Sequence, residues 1–127
     1  MADPIRIVLV EDNQVFREAL ELLLGLRSDV EVVASVGDGT EAVPACLAYE
    51  PDVVLMDYRL PGLDGVQATA AVRAACPDTA VVCLTASANA TEMEALLEAG
   101  AVACLTKDQE LDAIVDALRR AVPAKSA

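Results

Sequence analysis

Two hydrophobic periods alternate along the chain. Five short stretches are almost continuously apolar, which is typical of strands buried on both faces of a parallel sheet. These predicted strands cover residues 5–10, 30–36, 52–56, 79–84 and 101–105. Each ends beside polar residues or glycine, so the pattern predicts five separate strands.

A segment with helical periodicity follows each predicted strand. In the first, apolar residues recur from Val15 to Leu26, Asn13 is suited to cap the start and Gly25 lies near the end. The other predicted helices cover about 40–49, 64–75, 89–99 and 109–121. Alternating strands and helices predict an α/β domain in which right-handed crossovers place helices on both faces of a parallel sheet. We expect residues 1–121 to form this domain and residues 122–127 to be a tail or the start of a linker.

Composition narrows the classes of function. The chain has 127 residues and a formal net charge of −12, and it contains no histidine. Such a charge opposes binding to phosphate backbones, so we expect no nucleic acid to bind this domain itself. Without histidine, a bound metal is expected to be a hard cation held by oxygen. No apolar run reaches the roughly 18 residues of a membrane span and no signal peptide is evident, so we expect a cytoplasmic protein without membrane contact.

Reactive side chains follow four of the five predicted strands. Glu11 and Asp12 come after the first, Asp57 after the third, Thr85 after the fourth and Lys107 after the fifth. In open α/β sheets, ligands bind in the crevice beyond the carboxyl ends of the strands. Three carboxylates in that crevice repel one another, and Mg²⁺ would relieve the repulsion.

Together these groups suit phosphoryl transfer. A carboxylate can act as the nucleophile, while an ammonium and a hydroxyl stabilise the phosphoryl oxygens. Spacing alone leaves open whether Asp57 is the nucleophile or a metal ligand. Taken singly, each acid could equally cap a helix, Thr85 could be an ordinary strand residue and Lys107 a surface lysine.

At these positions the chain resembles the receiver domain of bacterial two-component response regulators. The resemblance covers about residues 5–121 and is carried by a set of short motifs. These are Val10-Glu11-Asp12-Asn13, Leu55-Met56-Asp57, Pro61-Gly62 with Asp64-Gly65, Leu84-Thr85-Ala86, Gly100-Ala101 and Lys107. Residues 29–39 and 58–65 are most similar to the subgroup whose receivers precede a helix-turn-helix output domain. The resemblance implies a flavodoxin-like, doubly wound (βα)5 fold with strand order 2-1-3-4-5.

The resemblance also implies a role for each matched residue. Asp57 would accept a phosphoryl group from a sensor histidine kinase or a phosphotransfer protein. Glu11, Asp12 and Asp57, with the backbone carbonyl of Arg59, would bind Mg²⁺, or Mn²⁺ in its place. Thr85 and Lys107 would bind the phosphoryl group, and the domain would catalyse its own phosphorylation and slow dephosphorylation.

The implied output surface consists of the fourth helix, the fifth strand and the fifth helix. Through it the receiver would control an output such as transcription, by way of a DNA-binding domain outside this chain. The same surface could support a homodimer, for which Met93, Leu97, Val102 and Arg119 are candidates.

Three positions depart from the family pattern. Cys104 replaces the aromatic residue whose ring turns inward on activation, and a small thiol cannot cover a comparable surface. Asp108 stands where proline often follows the lysine, and Glu11 replaces the commoner aspartate. We therefore expect the phosphorylation chemistry to be intact and the usual switch to be altered.

Several alternatives stay open at this point. The chain could be a stand-alone phosphorylated adaptor, or a receiver-like binding module that no longer switches. A metal-dependent phosphatase is disfavoured because Arg59 stands where a second acid would follow the nucleophile. A flavin carrier is disfavoured because Glu11 and Asp12 occupy the loop that would bind phosphate.

Overall fold

The computed structural model describes residues 3–86 and 89–122. Its centre is a sheet of five parallel strands in the order β2-β1-β3-β4-β5. The strands are β1 (Ile5–Val10), β2 (Val30–Val36), β3 (Val53–Asp57), β4 (Ala80–Thr85) and β5 (Ala103–Thr106). This order confirms the predicted doubly wound fold and places β1 and β3 side by side.

Five α-helices cover the two faces of the sheet. They are α1 (Gln14–Gly25), α2 (Ala42–Tyr49), α3 (Gly65–Ala75), α4 (Ala90–Glu98) and α5 (Leu111–Ala121). One core, between the sheet and helices α1 and α5, includes Leu24 and Leu118. The other core, beneath α2, α3 and α4, includes Cys46, Val72 and Leu96. Alternate residues of β1 and β3 enter opposite cores, so these strands are apolar except at Arg6 and Asp57.

Polar side chains fix the starts of the helices beside the carboxyl edge of the sheet. The Asn13 side chain accepts a hydrogen bond from the Phe16 amide at the start of α1. Asp64 and Gln67 form a capping box at the start of α3. Asn89 accepts from the Glu92 amide at the start of α4. These caps hold three strand-to-helix connections in place around the carboxyl ends of the strands.

Some element boundaries differ from the predicted ones. The helix expected from residue 40 begins with a 3₁₀ turn over Gly39–Glu41, because the Asp38 side chain accepts from the Thr40 amide. Strand β5 begins at Ala103 instead of residue 101, because the Ala101 amide still donates to the carbonyl of Leu96 in the preceding helix. Strands β3 and β4 end one residue later than predicted, so Asp57 and Thr85 belong to the sheet itself.

Helix α5 ends at Ala121, as predicted. Of the predicted tail, only Val122 lies within the described residues, and its role as tail or linker stays a prediction. None of the helices in residues 3–86 and 89–122 is both long and apolar enough to cross a membrane.

Candidate functional site

Three carboxylates meet at the carboxyl edge of the two central strands. Asp57 is the last residue of β3 and is only 6% exposed, while Glu11 follows β1 and is 2% exposed. Asp12 is exposed beside them. One carboxylate oxygen from each residue lies within 4.8 Å of the other two. The predicted convergence of Glu11, Asp12 and Asp57 is therefore present in the structure.

Lys107 links the two buried acids. Its Nζ lies 2.5 Å from Oε1 of Glu11 and 3.2 Å from Oδ2 of Asp57. The Lys107 amide donates to the Thr85 carbonyl at 2.7 Å, which ties the residue to the end of β4. The Phe16 ring lies 4.7 Å from Nζ and adds a cation–π contact. The ammonium is thus fixed between two carboxylates that would otherwise repel each other.

Backbone amides satisfy the remaining oxygens of the buried acids. Oε2 of Glu11 accepts from the Asn13 amide at 3.0 Å, and Oδ1 of Asp57 accepts from the Tyr58 amide at 2.8 Å. Arg17 donates from its guanidinium to the Glu11 carbonyl at 2.7 Å. Asp12 is the member of the acid group that faces solvent, so it is the carboxylate most accessible to an incoming cation.

Burial and neighbouring charges shift the pKa values of Asp57 and Lys107. Burial, together with the neighbouring Glu11 carboxylate, raises the pKa of Asp57 to about 7, and Lys107 only partly opposes the rise. Burial acts to lower the pKa of Lys107, but hydrogen bonds and charge attraction from Glu11 and Asp57 outweigh it and raise that pKa. Without a further cation, the site therefore holds more negative charge than it can readily stabilise.

A crevice of about 250 Å³ opens above the acids. Its lining residues are Asp12, Asn13, Asp57, Arg59, Thr85, Ala86 and Lys107. Every predicted site residue except Glu11 and Cys104 lines it, and Glu11 lies at its base through its contact with Lys107. An all-oxygen acid group at such a crevice fits a hard divalent cation.

Position 104 has no group that could repeat an aromatic switch. Cys104 is half-buried on β5, and its register partner on β4 is Cys83. Its Sγ donates to the Met93 carbonyl in α4 at 3.7 Å. The thiol therefore contacts the first turn of α4, although it is too small to exchange between an inward and an outward position as an aromatic ring does.

Three contacts of the site could not be predicted from spacing in the sequence. Two of them come from the start of α1, where the Phe16 ring lies against Lys107 and Arg17 donates to the Glu11 carbonyl. The third contact joins Arg59 to Glu92, whose carboxylate lies 3.9 Å from the guanidinium. Each depends on how helices meet the sheet edge, and the residue types alone carry no signal of that geometry.

The candidate output surface is only partly as expected. Leu97 and Val102 are exposed, at 48% and 54%, and Met93 is half-buried. Arg119 contacts Asp29, which precedes β2, and lies 3.6 Å from Asp116 of its own helix. Its guanidinium is therefore directed toward the β2 side of α5, away from the surface formed by α4 and β5.

The family and sequence comparisons both match this chain to response regulators. The family described as the response regulator receiver domain matches residues 7–119. Transcriptional regulatory protein DegU of Brevibacillus brevis is 36% identical over 115 residues, which are 91% of this chain and 49% of that protein. LnrK of Bacillus subtilis, also named a transcriptional regulatory protein, is 37% identical over 90% of this chain and 52% of its own length. The chain thus spans about half the length of these curated relatives.

Solved structures agree with the sequence comparison. The signal receiver domain of the response regulator NarL from Mycobacterium tuberculosis superposes with a TM-score of 0.85 at 35% identity, covering 92% of this chain and 98% of that one. A LuxR-family two-component response regulator from Aurantimonas sp. SI85-9A1 gives a TM-score of 0.88 at 30% identity, covering 96% and 87% of the two chains.

Proposed function

Because this chain belongs to the family of response regulator receiver domains, we propose that Asp57 is the residue that accepts a phosphoryl group in phosphorylation-dependent signalling. The observation that supports Asp57 best is its position at the end of β3. There it is buried against Glu11, linked to Lys107 and open to the crevice on one side. Glu11 is buried beneath the crevice, and Asp12 is exposed at its rim.

The proposed donor is the phosphohistidine of a sensor histidine kinase or a phosphotransfer protein. A carboxylate oxygen of Asp57 attacks phosphorus, the phosphorus–nitrogen bond breaks, and the departing imidazole nitrogen takes up a proton. Water later hydrolyses the acyl phosphate and restores the carboxylate. The chain's own residues position both reactions, so it catalyses its own phosphorylation and slow dephosphorylation although it is not a conventional enzyme.

Lys107 and Thr85 would stabilise the phosphoryl oxygens. The Lys107 ammonium already contacts Asp57 and offers a compact charge to an incoming oxygen. Thr85 is buried at the end of β4 and lines the crevice, where its hydroxyl can donate a hydrogen bond. Mg²⁺ or Mn²⁺, held by Glu11, Asp12, Asp57 and the backbone carbonyl of Arg59, would offset the remaining charge.

We further propose that the output is transcription, exerted through a DNA-binding domain outside this chain. The curated relatives named above are transcriptional regulators about twice as long. The formal charge of −12 supports the proposal that this domain does not itself bind DNA. The surface formed by α4, β5 and α5, where Leu97 and Val102 are exposed, is proposed as the output face and as a homodimer contact in the cytoplasm.

Intact-mass analysis after incubation with Mg²⁺ and acetyl phosphate tests the assignment of Asp57. We expect a single phosphoryl adduct in the wild type that hydroxylamine removes, and no adduct in Asp57→Asn. Asp64→Asn is the matched control: Asp64 lies in the same loop and caps α3, and asparagine caps helices equally well.

The control variant should carry the adduct at the wild-type level. An adduct of equal yield in Asp57→Asn would overturn the assignment of Asp57. If the wild type takes up no phosphoryl group from acetyl phosphate or from a phosphorylated histidine donor, the proposed function itself is wrong.

A further inference from the structure

We propose that Arg59 is a charge-operated link between the crevice and α4. In the resting state it binds Glu92, and it turns to the phosphoryl group when Asp57 carries one, thereby releasing the first turn of α4. This inference rests on the proposed function, because it names how phosphorylation of that site reaches the output surface. In the family pattern an aromatic residue at position 104 turns inward on activation. Here Cys104 cannot do so, and we assign the transmission of phosphorylation to α4 to Arg59 and Glu92 instead.

Arg59 is placed to serve either partner. It lies two residues after Asp57 and lines the same crevice as Asp57, Thr85 and Lys107. Its side chain is 80% exposed, and Nη2 lies 3.9 Å from Oε1 of Glu92. An ion pair this long, and this exposed on the arginine side, holds the guanidinium weakly, so a phosphoryl group with more negative charge can take Arg59 from Glu92.

The Glu92 carboxylate is mostly buried but only partly satisfied by hydrogen bonds and ion pairs. Its side chain is only 18% exposed, and Oε2 is buried without a hydrogen-bond partner among the residues that the structure describes. A carboxylate with one unsatisfied buried oxygen is unfavourable, and losing the nearby guanidinium makes it more so. Release of Arg59 should therefore drive the Glu92 side chain toward solvent and displace the first turn of α4.

The same turn of α4 also contacts the position that lacks its aromatic residue. Met93, the residue after Glu92, accepts a hydrogen bond from the thiol of Cys104 through its carbonyl. The first turn of α4 is thus attached to the crevice through Arg59 and to β5 through Cys104. A movement that begins at Arg59 would reach both elements of the proposed output surface.

The charges around the crevice favour Arg59 as the cation that moves toward the phosphoryl group. A phosphoryl group brings a charge of about −1.5 to −2 where Asp57 carried at most −1. Two cations, Lys107 and Arg59, line the crevice in the described part of the chain. Lys107 is already engaged by Glu11 and Asp57, whereas Arg59 is loosely held and its planar guanidinium suits two phosphoryl oxygens at once.

Amide NMR spectra of the 127-residue chain, with and without beryllofluoride at saturating Mg²⁺, test this link. In the wild type we expect changes at Thr85 and Lys107 and also along α4, at Glu92, Met93 and Leu97. In Arg59→Gln the changes at Thr85 and Lys107 should remain. Those along α4 should fall to about half or less, because the coupled contact has been removed.

Glu92→Gln provides the complementary test. Glutamine carries no charge that the release of Arg59 could drive toward solvent, so the response of its α4 amides to beryllofluoride should also fall to about half or less, while Thr85 and Lys107 respond as in the wild type. Glu94→Gln is the matched control, since Glu94 is exposed on the same helix and should leave the wild-type pattern unchanged. A merely structural role for Arg59 would not separate the response of α4 from the response of the crevice.

The inference is overturned if Arg59→Gln retains the full α4 response while Thr85 and Lys107 respond normally. It is also overturned if Glu92→Gln retains the full α4 response that Glu94→Gln shows. If Thr85 and Lys107 do not respond to beryllofluoride even in the wild type, the proposed function fails and this inference fails with it.

Discussion

Two aspartates at opposite edges of the parallel sheet have pKa values shifted in opposite directions. Asp29, just before β2 at the amino edge, has its pKa lowered chiefly by a hydrogen bond from Arg27, whose Nε lies 2.9 Å away. Asp57, at the carboxyl edge, has its pKa raised to about 7 by burial and by Glu11. The same side chain is stabilised as an anion at one edge and destabilised as an anion at the other.

The rest of the amino edge is likewise satisfied. The Asp52 carboxylate accepts from the Arg6 amide at 2.8 Å, and the Thr79 hydroxyl donates to the Pro51 carbonyl at 3.0 Å. Arg73 donates to the Thr79 carbonyl at 2.6 Å. The amino edge therefore contributes to stability, whereas the carboxyl edge retains an excess of negative charge that a metal ion would neutralise.

Removal of Lys107 should have the largest effect on the comparison. Lys107→Ala leaves Glu11 and Asp57 buried together without their shared cation, and breaking a buried pair in this way costs about 3 kcal/mol of unfolding free energy. Urea denaturation at pH 8 without Mg²⁺ would measure the loss, with Arg120→Ala, which removes an exposed cation on α5 outside the crevice, as the control. A loss of unfolding free energy no greater than that of the control would show that repulsion between Glu11 and Asp57 does not destabilise the carboxyl edge.

Replacement of Asp57 should have the next largest effect, with the opposite sign. A carboxyl group whose folded pKa is raised favours the folded state most at low pH, and that contribution is lost as pH rises from the ordinary aspartate value to about 7. The shift corresponds to about 4 kcal/mol, and asparagine also gives up the ion pair between Asp57 and Lys107, so metal-free Asp57→Asn should be more stable than the wild type at pH 8 by a net of about 2 kcal/mol. The gain should shrink as pH falls below 7, and a gain that does not depend on pH would contradict the proposed strain.

Addition of Mg²⁺ should relieve the carboxyl edge directly. A ligand that binds only the folded state at about ten times its Kd stabilises by about 1.4 kcal/mol. Thermal unfolding of the wild type should therefore shift upward at millimolar Mg²⁺. Asp12→Ala should lose most of the shift and also lose phosphorylation by acetyl phosphate. Loss of one property without the other would separate the metal site from the phosphoryl site.

Neutralising Asp29 should have the smallest effect. Its side chain is 29% exposed, so solvent screening limits the loss in Asp29→Asn to roughly 0.5–1 kcal/mol of unfolding free energy at pH 7. Because its folded pKa is lowered, the contribution is present above the ordinary aspartate value and disappears as pH falls through the folded one. Denaturation at pH 7 and pH 2.5 would show it; stabilisation by Asp29→Asn at pH 7 would contradict the contrast with Asp57.

The sequence predicts most of this fold because hydrophobic period and strand ends carry strong signals. These signals predicted the five strands and the meeting of Glu11, Asp12 and Asp57, whereas the strand order was implied by the resemblance to receiver domains. The start of α2 was not predicted, because the 3₁₀ turn depends on Asp38 and on the close approach of Gly39 to the Leu63 carbonyl, where a Cβ would lie 1.8 Å from that oxygen.

Contacts between distant side chains were the part that could not be predicted. Spacing placed Lys107 near several acids, but the geometry of α1 and β5 determines that it contacts Glu11 at 2.5 Å and lies beside Phe16. The contact between Arg59 and Glu92 spans 33 positions and depends on where α4 begins. Residue types define what such groups can do, and packing decides which of them meet.

Carbon-detected NMR titration of the Asp57 and Asp29 carboxyl groups tests the central contrast most directly. Without metal, Asp57 should titrate near pH 7 and Asp29 below the ordinary aspartate range. Saturating Mg²⁺ should lower the apparent pKa of Asp57 and leave that of Asp29 unchanged. If both carboxyl groups titrate in the ordinary range and neither responds to Mg²⁺, burial and Glu11 do not raise the pKa of Asp57 and the carboxyl edge is not a metal site.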